Sequence, residues 1–172
     1  MGGRASLLRT GGGRSALLDA VVRPMMERYG KEPSIFAWDI FNEPEWIRTL
    51  TGDELRSFLA ETVALVRSCA RQPITIGSAG LRWRRRYDGL ELDFHQVHWY
   101  ETLTRQPPLN TPVDQLGYDR PVVLGEFPTK GSSLPPHRIV EIARAAGYAG
   151  AFFWSLLASD DCTQPATFLR AP

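Results

Sequence analysis

The sequence predicts an α/β protein built on a parallel sheet. Short apolar runs recur at 35–41, 74–77, 94–100, 121–125 and 150–156, each of strand rather than helix length. Stretches with apolar residues at helical spacing lie between several of them. Two of the runs end abruptly in a carboxylate: Trp38-Asp39-Ile40-Phe41 leads into Asn42-Glu43-Pro44, and Val122-Val123-Leu124-Gly125 leads into Glu126-Phe127. Strands with apolar residues throughout, alternating with amphipathic helices, belong to parallel sheets covered on both faces. Such sheets display their chemistry at the carboxyl ends of the strands.

Residues 1–13 are rich in glycine and arginine and read as a flexible, irregular start. Over 14–29, Leu17, Leu18, Val21, Val22, Met25 and Met26 are spaced for one helix face. Pro24 removes a backbone donor within that pattern, which predicts a kink or a late helix start. Gly30 stops the helix, and Pro33 leads to the first strand, 35–41.

Thr51-Gly52-Asp53-Glu54 fits a capping box. The helix behind it is expected to bury Leu55, Phe58, Leu59, Thr62, Val66 and Cys69, and Gln72-Pro73 ends it. Ile74 to Gly77 forms the second strand, followed by a loop or helix carrying Arg82 to Tyr87. The third strand is 94–100. Proline-rich 101–120 is a long loop with a helical turn near Val113 to Leu116, and the fourth strand is 121–125. Ser133 is expected to cap a helix over 134–146, with Ile139, Val140, Ile142 and Ala143 inward and Gly147 at its end. The fifth strand is 150–156, and 157–172 is a polar tail.

The chain has 172 residues, enough for one domain with a real core. It is short for a complete eight-unit barrel, which takes roughly 250 residues. Lys plus Arg number 20 against 19 for Asp plus Glu, a net charge of +1, so neither a nucleic acid nor a membrane surface is expected as partner. The run Arg84-Arg85-Arg86 beside Trp83 and Tyr87 reads as a solvated face or an assembly contact. Cys69 and Cys162 have no metal-ligand spacing and read as free thiols. His95, His98 and His137 form no metal pattern, and no cofactor is expected. Met1 to Gly13 lacks the apolar core of a signal peptide, so the sequence as it stands reads as soluble, with its compartment unassigned.

The strand ends carry groups suited to cleaving a glycosidic bond: Asn42 and Glu43 on the first, His98 and Tyr100 on the third, Glu126 on the fourth and Trp154 on the fifth. Paired carboxylates, hydrogen-bonding neighbours and an aromatic platform fit an oxocarbenium-like transition state. Each also has a plainer reading. His98 and Tyr100 could be hydrogen-bonded core residues, Trp154 could be packing, and Asp39, in strand phase with Glu43, reads as a structural partner. Gly77-Ser78-Ala79-Gly80 lacks the spacing of a nucleophile elbow, so nothing supports acyl transfer.

With Trp38-Asp39-Ile40-Phe41-Asn42-Glu43-Pro44, His98-Trp99-Tyr100, Leu124-Gly125-Glu126-Phe127 and Phe153-Trp154-Ser155 in this order, the chain from Leu17 to Leu156 resembles the C-terminal part of a clan A glycoside hydrolase, cellulase-like and nearest to family 5. The resemblance implies a partial (β/α) TIM barrel over 14–172, with the five strands equivalent to barrel strands 4 to 8. It implies Glu43 as general acid/base and Glu126 as nucleophile. Asn42 would bind the sugar 2-hydroxyl, Tyr100 would orient the nucleophile, His98 would line the same subsite and Trp154 would stack on the sugar. The implied activity is that of a retaining β-glycoside hydrolase on a β-glucan, mannan or oligosaccharide.

With the Asn-Glu-Pro strand so near the start, the family's first three strands, at roughly 30 residues per βα unit, have no counterpart in this sequence. The end strands would then have open edges. The expectation is self-association, a homo-oligomer, or pairing with a complementary N-terminal portion. The alternative is a catalytically inactive partial barrel that folds or binds carbohydrate weakly.

Overall fold

The computed structural model describes residues 5–156 and 160–163. Most of the tail predicted over 157–172, and residues 1–4 of the predicted flexible start, lie outside them. The fold is α/β: five parallel strands with flanking helices, in the sheet order β1-β2-β3-β4-β5, as the alternating pattern predicts. The strands are β1 (Trp38–Asn42), β2 (Ile74–Ser78), β3 (His95–His98), β4 (Val122–Glu126) and β5 (Gly150–Ala151). The chain divides into two compact units. The first runs to Ile76 and includes Arg85–Phe94; the second comprises Gly77–Arg84 and the chain from His95 onward.

The first unit opens with α1 (Ala5–Arg9) and α2 (Gly11–Leu17), where the glycine-rich sequence reads as irregular. Tertiary contacts account for the difference. Thr10 caps α2 by accepting from the Gly13 amide, Leu8 is buried, and Arg14 bonds Glu61 at 2.8 Å. A Cβ on Gly13 would lie 2.2 Å from the Leu7 carbonyl oxygen, so the close approach of these turns uses glycine's missing side chain.

The helix predicted over 14–29 continues through a π-helical segment, Leu18–Val22, into α3 (Arg23–Tyr29). Pro24 stands in the first turn of α3, where its missing N–H costs least. The wider π turn rotates the following residues off the predicted face. Leu18 and Met26 are buried, but Val21 and Met25 are exposed. At Gly30 a Cβ would meet the carbonyl oxygens of Met26 at 2.5 Å and Cys69 at 2.8 Å, which is why the helix stops on glycine.

The capping box is present at the head of α4 (Gly52–Cys69): the Glu54 amide donates to Thr51 Oγ1 at 3.2 Å, and the Thr51 amide donates to Glu54 Oε2 at 2.7 Å. Helix α4 buries Leu55, Phe58, Leu59, Thr62, Val63, Leu65 and Val66. Cys69 is only partly buried, at the margin of this core. Each large side chain buried here contributes about 1.5–3 kcal/mol of transfer free energy.

In the second unit, β3 pairs with β4 and β4 with β5, all parallel. Leu81, Val97, Leu124, Phe127 and Ile139 are almost wholly enclosed in its core. Residues 101–120 form the predicted loop, with a 3-10 turn at Val113–Gln115. Helix α5 (Pro136–Ala145) starts later than predicted, with Pro135 at its N-cap. Ser133 is not the cap, because its amide and hydroxyl both donate to Glu101. Ile139 and Ala143 face inward, while Val140 is exposed. Strand β5 is shorter than predicted; beyond it the Phe152 amide still donates to the Leu124 carbonyl at 2.8 Å, and a bridge joins Trp154 to Pro128.

Candidate active site

Glu126 is the last residue of β4, and the sheet itself brings its partners to it. Val97 pairs with Leu124, but the register then shifts and His98 pairs with Glu126, so β4 carries Gly125 as an extra residue. Glycine suits such a bulge. A Cβ at Gly125 would fall 2.2 Å from Gln96 Cγ, so a side chain there would have to displace Gln96. The Trp99 amide then donates to the Glu126 carbonyl at 2.8 Å, carrying the pairing past the end of β3.

The result is a carboxylate with two neighbours converging on Oε2. The Tyr100 phenol donates to Glu126 Oε2 at 3.0 Å. His98 Nδ1 lies 3.3 Å from the same oxygen, with the imidazole fully buried. The Glu126 side chain keeps 14% of its surface accessible, so it is partly desolvated yet reachable. Of the residues singled out in the sequence, His98, Tyr100 and Glu126 are thus in one cluster. The placement of Tyr100 on the third strand, predicted over 94–100, needs amendment. Strand β3 ends at His98, and Tyr100 reaches Glu126 from the loop beyond it.

Trp154 is 39% exposed, and its indole donates to Asp160 Oδ2 at 2.9 Å. Asp160 is well braced. The Trp154 indole and the Cys162 amide, which both donate to it, hold its carboxyl below the usual aspartate range. Asp160 stands in the tail that sequence reasoning passed over, and only the fold reveals its partner. Glu101, also missed, accepts from the Ser133 amide at 2.7 Å and from both the Ser132 and Ser133 hydroxyls. It ties the loop after β3 to the loop after β4.

In the first unit, Asn42 closes β1 and is exposed, and Glu43 follows in a left-handed conformation, φ 46° and ψ 53°. Few residues other than glycine, asparagine and aspartate adopt it, and where they do it often marks a functional position. Pro44 opens a 3-10 turn, Pro44–Trp46, and the Trp46 indole donates to Glu43 Oε2 at 2.7 Å. Glu45 is buried next to Tyr87, whose phenol is pushed well above its ordinary range, first by burial and then by that carboxylate. Asp39 is exposed and accepts from the Phe41 amide at 3.3 Å within β1, in keeping with a structural role.

No family model matches the chain. Over 95 residues it is 28% identical to mannan endo-1,4-beta-mannosidase 2 of Arabidopsis thaliana. That match is a partial one. It takes in 42% of this chain and only 22% of the plant protein. Among solved structures it is similar to the GH113 beta-mannanase AaManA from Alicyclobacillus acidocaldarius, with a TM-score of 0.49 and 15% identity over 79% of this chain and 50% of that one. The chain therefore corresponds to a half or less of the proteins it resembles.

A carboxylate held by a phenol and flanked by an imidazole is fixed in direction, which suits attack on an electrophilic carbon. A carboxyl gripped through one oxygen can pass a proton through the other. No helix among the described residues is long and apolar enough to cross a membrane. Cys69 and Cys162 are free thiols, as expected.

Proposed function

We propose that this chain carries the catalytic carboxylates of a retaining β-glycoside hydrolase acting on mannan or a related β-linked glycan, built on the family 5-like clan A plan. The setting of Glu126 carries the reading: a carboxylate at a strand end with Tyr100 at 3.0 Å and His98 at 3.3 Å on Oε2. The 28% identity to a mannan endo-1,4-beta-mannosidase supports mannan over glucan.

Glu126 is the nucleophile. It attacks the anomeric carbon while Glu43 protonates the departing oxygen, giving a glycosyl ester on Glu126. Water then attacks that ester as Glu43 takes its proton, and the free sugar leaves with its original configuration. Tyr100 and His98 orient the nucleophile, Asn42 binds the 2-hydroxyl and Trp154 stacks on the ring. The mechanism requires Glu43 and Glu126 to come within about 5–5.5 Å of each other. The five strands take the places of barrel strands 4 to 8, and the remainder of the binding cleft comes from a second copy of this chain or from a complementary portion.

Hydrolysis of mannooligosaccharides and aryl β-mannosides, with solution mass measured at the same concentration, tests the reading. Turnover that falls by at least about a thousandfold in both Glu126→Ala and Glu43→Ala supports it. Sugar binding with no turnover at any concentration identifies a non-catalytic carbohydrate binder instead.

A further inference from the structure

Trp46 takes no part in the roles drawn above, yet it is bonded to Glu43 through a geometry that the local chain imposes. In a 3-10 turn, residues three apart eclipse one another. The turn Pro44–Trp46 is closed by the Trp46 amide on the Glu43 carbonyl at 3.2 Å, which holds the two residues close although Glu43 itself is left-handed. The indole N–H then meets Glu43 Oε2 at 2.7 Å, the short distance of a hydrogen bond to a charged group. The ring is 43% exposed, so core packing alone does not dictate where that N–H points. The turn is anchored beneath by Glu45, which is buried, and Pro44 restricts the backbone on either side.

An indole N–H can only donate, so the oxygen it meets must accept. The acid form of Glu43 cannot carry its proton on Oε2 facing Trp46. We propose that Trp46 is a positioning residue that fixes Oε2 of Glu43 as the anchored oxygen and Oε1 as the one that gives and takes the proton. This rests on the hydrolase reading. In the first step the proton leaves Oε1 for the glycosidic oxygen as the bond from that oxygen to the anomeric carbon breaks, its electron pair staying on the oxygen. In the second, a water proton goes to Oε1 as the water oxygen bonds the anomeric carbon and the Glu126 ester bond breaks. Through both steps the Trp46 N–H stays on Oε2.

Proton donation matters when the leaving group is poor and little when it is good, so the role has a signature that general damage to the fold lacks. Trp46→Phe keeps most of the ring and removes the N–H. The expected result is a loss in kcat/KM of about 10- to 100-fold on mannotriose, with less than about a threefold loss on 2,4-dinitrophenyl β-mannoside. Equal losses on both substrates, or none on either, overturn the proposal.

A second measurement does not need turnover. In ¹⁵N-labelled protein the Trp46 indole resonance, assigned by its absence in Trp46→Phe, is expected to shift in Glu43→Gln and to stay in place in Glu126→Gln. A resonance indifferent to Glu43→Gln overturns the hydrogen bond itself. If that resonance follows Glu43 while the wild type cleaves neither substrate, the hydrolase reading has failed and the proton-transfer role of Trp46 fails with it.

Discussion

The Tyr100 phenol reaches Glu126 Oε2 at 3.0 Å from beyond the end of β3, on a backbone whose pairing has already slipped by one residue. Because of that slip His98 stands opposite Glu126 rather than Gly125, and the Tyr100 phenol and His98 imidazole converge on one oxygen.

Tyr100→Phe removes the phenolic donor and leaves the ring. A hydrogen bond to a charged group is worth about 1.5–3 kcal/mol, so kcat/KM on an aryl β-mannoside should fall by about 10- to 100-fold. The melting temperature should barely move, because the ring that remains still packs. Steady-state kinetics beside a thermal melt separates the two effects.

Gly125→Ala should destabilise the fold, because its Cβ would fall 2.2 Å from Gln96 Cγ and 2.5 Å from Gln96 Cδ. Overpacking of this kind costs about 1–3 kcal/mol. Gln96→Ala removes the colliding atoms, so Gly125→Ala should cost markedly less in that background. Urea unfolding of the four proteins in the cycle measures the coupling.

Glu101 predicts a pH dependence. The Ser133 amide and hydroxyl, then the Ser132 hydroxyl, hold its carboxyl below the ordinary glutamate range. A carboxyl lowered on folding contributes its full stability above about pH 4.3, its unfolded value, and loses it as the pH falls through the lower folded one. Wild type should therefore melt above Glu101→Ala near neutral pH, and the gap should close as the pH is taken below about 4. A gap that persists unchanged into acid would mean the contribution comes from packing rather than from the charge.

Much of this was legible in the sequence because local chemistry decided it. Thr51 and Glu54 cap α4 as their spacing requires, and the apolar runs ending at Asn42 and Glu126 became strands. What escaped depended on partners distant in the chain. Ser133 looked like a helix cap, but Glu101 claims its hydroxyl and the Pro135-Pro136 pair starts the helix instead. The apolar face of 14–29 was read with one period throughout, and the π turn at Leu18–Val22 broke it. Glycines at 11 to 13 suggested disorder, yet Leu8 and the Arg14–Glu61 pair hold those helices. Among the residues of the proposed site, Glu43, Asn42, His98, Tyr100, Glu126 and Trp154 stood out by type and order. Trp46 and Asp160 did not, because an indole donor is recognised only when the acceptor it faces is known.

The most direct test of the central claim is covalent trapping. A 2-deoxy-2-fluoro-β-mannosyl fluoride slows the second step more than the first, so the glycosyl ester accumulates. Mass spectrometry of the digested protein should find one fluoromannosyl group on the peptide that contains Glu126, and none in Glu126→Gln. A label on a different residue, or an enzyme that turns over mannosides with inversion and never labels, would contradict the account.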